Sequence, residues 1–124
     1  MNNYTYEVKQ RWGNTPEFQE HKRKIKNYSN EKWHELNIQM NNIFKEFSEC
    51  KRNGINFSSD EVQNLVVKLQ NHISENYYTC TNEILLSLSR MYVIDERFES
   101  YIDQHLKGTA EYVKLSIEYY YLNN

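Results

Sequence analysis

Few side chains in this sequence are able to do chemistry, and their spacing argues against catalysis. Cys50 and Cys80 stand alone, without the paired Cys-x-x-Cys spacing of a structural zinc site, and they are too few for a disulfide framework. Reduced thiols are expected. Cys80 immediately precedes Thr81, a helix-capping residue, so the dipole of the following helix would favour its thiolate. The competing and favoured reading is a small buried hydrophobe; Cys50, on an apolar stripe, reads as core filling. Glu31-Lys32-Trp33-His34 has the Glu-x-x-His spacing of di-iron helices, but none of His21, His72 or His105 has a Glu three residues earlier. A single copy is a surface coincidence, and no metal is expected. His72, beside Ile73, is the one histidine worth naming as a haem ligand, although a core or rim histidine donating a hydrogen bond is favoured. There is no Gly-x-Ser-x-Gly elbow and no phosphate loop among three glycines. The expectation is a non-enzyme without a cofactor.

Aromatic side chains point instead to binding. Eleven Tyr, five Phe and two Trp sit in a chain of modest aliphatic content. Tyrosine offers rigid apolar area with a polar tip, suited to holding a sizeable, partly polar ligand at low entropic cost. For any single tyrosine, a place in a small core or on its rim is the simpler reading. Fifteen basic against seventeen acidic side chains leave a net charge of −2, too balanced for the positive field of a nucleic-acid binder. The local exception, His21-Lys22-Arg23-Lys24-Ile25-Lys26, reads as a solvated helix face that Glu17 and Glu20 can pair with.

Positioning these groups falls to helices. A length of 124 residues implies one domain, and the three Gly and one Pro lie far apart. Between them the apolar residues recur at the spacing of helices, so the fold class is all-α. Ser29 caps a long helix whose stripe is Trp33, Leu36, Met40, Ile43, Phe44, Phe47 and Cys50, ending at Asn53-Gly54. Ser58 and Glu61 have capping-box spacing for a second helix burying Val62, Leu65, Val66, Leu69 and Ile73, whose end frays into Tyr77-Tyr78. Thr81 caps a third, with Ile84, Leu85, Leu88, Met91 and Tyr92 inward, and Asp95 a fourth, carrying Phe98, Tyr101, Ile102 and Leu106. Gly108-Thr109 opens the fifth, which buries Ala110, Val113 and Ile117. The longest apolar runs, Met91 to Ile94 and Tyr119 to Leu122, are far short of a bilayer span, and the first residues lack a signal peptide's basic and apolar regions. A cytoplasmic location is expected.

The first 28 residues are different, with apolar side chains scattered as Tyr4, Tyr6, Val8, Trp12, Phe18, Ile25 and Tyr28. Pro16 starts a plausible helix to about Asn27, but so short a helix with so narrow an apolar stripe is marginal in water. Residues 1–28 are therefore expected to be mobile in the free protein and to order against a ligand, ahead of a core of residues 29–124.

Arg11-Trp12-Gly13-Asn14-Thr15, Tyr28-Ser29-x-x-x-Trp33, His72-Ile73-Ser74 with Tyr77-Tyr78-Thr79-Cys80-Thr81, and Met91-Tyr92-Val93-x-Asp95-x-Arg97-Phe98-x-x-Tyr101 resemble the TipAS-type antibiotic-recognition domain of MerR-family transcriptional activators. The resemblance implies a compact globin-like helical fold without haem, in which five main helices form a cleft for macrocyclic thiopeptides or other bulky apolar antibiotics. By the same resemblance, Trp12, Phe18, Tyr28 and Trp33 belong to the lid and its hinge. Tyr77, Tyr78, Cys80, Met91, Tyr92, Phe98 and Tyr101 line or brace the cleft, and Asp95 and Arg97 are structural. Some members capture dehydroamino-acid ligands through a cysteine where this sequence has Ser87. A serine hydroxyl is a far poorer nucleophile than a thiolate, so binding is expected to be reversible unless Cys80 takes the place of the missing cysteine. DNA would be reached only through a fused helix-turn-helix domain that this chain lacks, and no membrane partner is expected. The family also occurs as free-standing drug-sequestering proteins. From a different class, a helical domain whose aromatic face docks another polypeptide is the alternative.

Overall fold

The computed structural model describes residues 16–124, the side chains at 16–18 and 21 excepted. Six helices follow in order: α1 (Pro16–Ile25), α2 (Asn30–Arg52), α3 (Asp60–Asn76), α4 (Asn82–Ile94), α5 (Glu96–Asp103) and α6 (Thr109–Asn123). The described residues contain no strand, as the all-α reading requires, and α2 to α6 are the five main helices.

Local chemistry sets most of the boundaries. The hydroxyl of Ser29 accepts from Lys32 N at 3.1 Å, that of Thr81 from Ile84 N at 3.2 Å, and Asp95 Oδ1 from Arg97 N at 2.9 Å. Each satisfies one of the free N–H groups that open a helix. Asp95 also pairs with the Arg97 guanidinium at 2.9 Å, so this pair is structural, as expected. At the other end of α2, Ile55 N donates to Cys50 O and Gly54 N to Lys51 O, with Gly54 left-handed at φ 72°. That is a Schellman motif, and it needs the glycine.

Two boundaries differ from expectation. The cap of α3 is Ser59, which accepts from Val62 N at 3.3 Å; Ser58 instead turns both its N–H and its hydroxyl to Asn56 Oδ1, at 2.8 and 2.7 Å. An Asx turn has outcompeted the capping box by one residue. The fourth predicted helix stops at Asp103 rather than continuing through Leu106. Its last carboxylate is used elsewhere: Asp103 Oδ2 accepts from Gly108 N at 3.1 Å and Oδ1 from Ala110 N at 2.8 Å. Gly108, left-handed at φ 90°, has no side chain with which to cap α6, and Asp103 supplies the acceptor from across the turn.

Helix α6 packs against α2, α3, α4 and α5. It buries Thr109, Ala110, Tyr112, Val113, Ser116 and Ile117, a stripe wide enough to meet several neighbours. The buried Ser48, Ser89 and Ser116 each donate to a carbonyl of their own helix at 2.6 to 2.7 Å, so their hydroxyls are satisfied. The Tyr112 hydroxyl donates to Ile55 O at 2.7 Å, fastening the α2–α3 turn to α6.

Replacing Asp103 by Ala is expected to cost about 1 to 2 kcal/mol of stability, because two N–H groups at the start of α6 lose their acceptor. Urea unfolding checks it, as a lowered midpoint with an unchanged slope.

Candidate functional site

Between Asn76 and Asn82 the chain leaves α3 and enters α4 through Tyr77-Tyr78-Thr79-Cys80-Thr81, which we call the strap. Instead of fraying, the end of α3 turns inward: Tyr77 N and Tyr78 N both donate to Ile73 O, at 2.9 and 3.2 Å. The two rings become 2% and 0% exposed. A buried segment without regular structure must find partners for its backbone, and each comes from elsewhere in the fold. Cys80 N donates to Ser74 Oγ at 3.0 Å, while Gln70 Nε2 donates to Cys80 O at 2.9 Å and to Asn82 Oδ1 at 2.8 Å. The other face of Gln70 accepts from the Tyr120 hydroxyl at 3.1 Å, so α3, the strap, α4 and α6 meet at one carboxamide.

Around the strap the aromatic residues form two groups. In the first, Tyr28 meets Trp33 edge-on at 5.3 Å, Trp33 leans on Tyr77 at 6.2 Å, and His72 approaches Tyr77 at 6.1 Å. In the second, Phe44 packs edge-on against Tyr92 at 5.7 Å and Tyr101 at 6.1 Å, and Tyr92 lies 6.0 Å from Phe98. Burial raises the Tyr92 hydroxyl well above the usual tyrosine value, and the neighbouring Tyr78, Cys80, Tyr101 and Tyr77 groups add to the effect. Burial raises Tyr77 as well, with Tyr28 and Tyr101 contributing. These hydroxyls stay protonated at any physiological pH.

The structure thus brings together most of the residues singled out from the sequence, in two roles. Tyr77, Tyr78, Cys80, Met91 and Tyr92 are buried. Tyr28, Trp33 and Phe98 are half-buried and Tyr101 is 38% exposed, so these four keep solvent-facing area, while Ser87, half-buried on α4, belongs to neither of the aromatic groups described above. Trp12 and the Phe18 side chain lie outside the described residues. The reactive reading of Cys80 is overturned: burial pushes its thiol up to about 12, and its Sγ lies 3.8 Å from Thr81 O. Removal from water outweighs the helix dipole. Cys50 is likewise buried and raised by burial and three nearby glutamates.

Helix α1 lies against the strap through polar contacts that the sequence reading missed. Glu20 accepts from Thr79 N at 2.6 Å and from the Thr79 hydroxyl at 3.0 Å. The Thr79 N–H is the main reason that the Glu20 carboxyl falls below its ordinary value. Lys24 donates to Ser74 O at 2.6 Å, and the Tyr28 hydroxyl to Asn76 O at 2.6 Å. The last turn of α3 has no basic residue of its own, so Lys24 supplies the cation that a helix C-terminus favours. The basic strip is therefore solvated at Lys22, Arg23 and Lys26 but not at Lys24.

Along α2 and α3 runs an open groove of about 590 Å³, lined by carboxamides such as Gln39, Asn42, Asn64 and Asn71, by the charged Glu46, Lys68 and Glu75, and by Ile43 and Val67. Of the residues anticipated from the sequence as ligand contacts, none lines it. His72 and Asn76 are shared between groove and aromatic group. His72 is buried, its Nδ1 lies 3.4 Å from Asn76 Nδ2, and its Nε2 has no partner among the described residues. Burial lowers its proton affinity, Lys32 reinforcing and Glu75 opposing, which suits a neutral imidazole rather than a charged one. His34 and Glu31 are both exposed on α2, and the described residues contain no group of three side chains able to hold a metal.

His72 gives a testable pH dependence. Its folded value lies below its ordinary 6.5, so the unfolded chain takes up the proton first as pH falls. Stability should be flat above about pH 6.5 and decline below it, by at most about 1.4 kcal/mol per pH unit. Chemical denaturation from pH 8 to 5 is expected to show this decline in the wild type and a flatter profile in His72→Leu. Glu20, with a folded value below 4.5, adds a separate loss only beneath that pH.

A family model described as the TipAS antibiotic-recognition domain matches residues 4–120. The HTH-type transcriptional activators TipA of Streptomyces coelicolor and Streptomyces lividans are each 30% identical to this chain over 114 residues, 92% of it and 45% of their own length. The chain thus spans about half the length of these curated relatives. Its fold is similar to that of TipAS from Streptomyces lividans, solved in complex with nosiheptide as part of a thiopeptide antibiotic multidrug resistance system. There the TM-score is 0.84 at 29% identity, over 98% of this chain and 85% of the other.

Proposed function

This chain belongs to the TipAS antibiotic-recognition family, and on that footing we propose that it is a non-enzymatic binding module for thiopeptides or other bulky, partly apolar antibiotics. One observation carries the reading: the inward-turned strap buries Tyr77 and Tyr78, and Tyr77 backs Trp33, which in turn meets Tyr28 edge-on, building an aromatic wall over a buried footing. Such a wall recognises a large ligand by area and orients it by a few polar contacts. The similarity of nearly the whole chain to a nosiheptide-bound TipAS supports the same ligand class.

In this reading Tyr28, Trp33, Phe98 and Tyr101 touch the ligand. Tyr77, Tyr78, Cys80, Met91 and Tyr92 hold the wall in shape. Residues 1–28, Trp12 and Phe18 included, form the lid. Capture is reversible, because Ser87 is no nucleophile at neutral pH and the Cys80 thiol is raised to about 12. The relatives' activator role belongs to a longer protein, so here DNA is reached only through a fused helix-turn-helix domain, in a cytoplasmic regulator. No described helix is long and apolar enough to cross a membrane. Binding then acts by favouring one conformation of the module over another, which requires differential affinity for the two.

Tryptophan fluorescence titrated with nosiheptide should show saturable one-to-one quenching, with Trp33→Ala weakening affinity about tenfold or more. Mass spectrometry under denaturing conditions should find no adduct. Unchanged emission across nosiheptide and a varied panel of bulky apolar drugs would instead favour an aromatic face that docks another polypeptide.

A further inference from the structure

Helix α1 is held by charge and hydrogen bonds more than by burial. Lys22, Arg23, Lys26 and Asn27 are exposed, and Ile25 and Tyr28 are only partly buried against the core. Its specific contacts fall on both sides of the Tyr77-Tyr78 pair. Lys24 and the Tyr28 hydroxyl reach the carbonyls of Ser74 and Asn76 just before it, and Glu20 grips Thr79 by N–H and hydroxyl just after it. Glu20 and Lys24 also lie 3.9 Å apart, one turn from each other on α1, so the two grips act as a unit. Loss of α1 would strip the strap of a backbone acceptor at Thr79 and α3 of its C-terminal cation. The placement of α1 and that of the strap thus share the same hydrogen bonds, so a change in one is felt by the other.

We propose that Glu20 and Lys24 are positioning residues for the ligand site: by clasping α1 to both sides of Tyr77-Tyr78, they tie the placement of α1 and the shape of the aromatic wall into one equilibrium. At the ligand site, the readout of the clasp is a change in affinity. The readout rests on the antibiotic-binding reading above, whereas the clasp itself does not.

Cys80, 4% exposed and next to the clasped Thr79, reports on the strap, and Cys50, roughly 30 Å along α2 from the α1 junction, reports on the core. Pulsed alkylation of the full chain with N-ethylmaleimide, read by peptide mass spectrometry, gives both rates in one sample. Glu20→Gln and Lys24→Met are each expected to speed modification of Cys80 about tenfold and leave Cys50 unchanged. Saturating nosiheptide should slow Cys80 in the wild type, and Glu20→Gln should raise the nosiheptide Kd by roughly 5- to 30-fold. Equal acceleration of both cysteines, or of neither, overturns the clasp. A faster Cys80 with an unchanged Kd overturns its role at the ligand site. If the alkylation results are as expected and the wild type does not bind nosiheptide, the antibiotic reading falls while the coupling of α1 to the wall is upheld.

Discussion

A buried stretch of chain with no helix of its own must still pair its peptide groups, and this requirement at Tyr77–Thr81 organises much of the molecule. Ile73, Ser74 and Gln70 supply partners from α3, and Glu20 from α1. An apolar side chain at 70 or 74 would leave Cys80 amide groups unpaired, at a cost of about 1 to 3 kcal/mol each. The same polar ties fix the direction in which Tyr77 and Tyr78 point. The wall is stiff because its backbone has few other ways to be satisfied.

Burial also sets the chemistry around the strap: it keeps the Cys80 thiol and the Tyr77 and Tyr92 hydroxyls protonated and lowers the proton affinity of His72. Polarity there is spent on internal hydrogen bonds, through Gln70 and Ser74, while the half-buried Tyr28 and the exposed face of Tyr101 meet solvent. Rings held in this way have little rotamer entropy left to lose.

Support for the strap comes from α6, which meets the other four main helices, anchors the α2–α3 turn through Tyr112 to Ile55, and reaches Gln70 of α3, itself bonded to the strap, through Tyr120. Attachment of α1 is of another kind. A carboxylate aimed at the strap and an ammonium aimed at the end of α3 are directional, and in the case of Glu20 sensitive to pH below 4.5.

Periodicity and caps sufficed to read five main helices from the sequence, because apolar spacing and Ser29, Thr81 and Asp95 act within a few residues of themselves. The contest between Ser58 and Ser59 was closer, as an Asx turn and a capping box draw on the same local hydrogen bonds. The aromatic residues were identifiable from their types and motif spacing, but their division into buried braces and exposed contacts was not. That division depends on the inward turn after Asn76, which the pull of a hydrophobic core imposes on a segment with no pattern of its own. Glu20 and Thr79, 59 residues apart, gave no signal that they would meet. Cys80 carries the same lesson: a position before a helix suggested a thiolate, and only the packing of α3, α4 and α6 around it decided that removal from water wins. Local interactions are written in neighbouring residues; the environment of a side chain is set by the elements that close over it, and these come together only when the chain has folded.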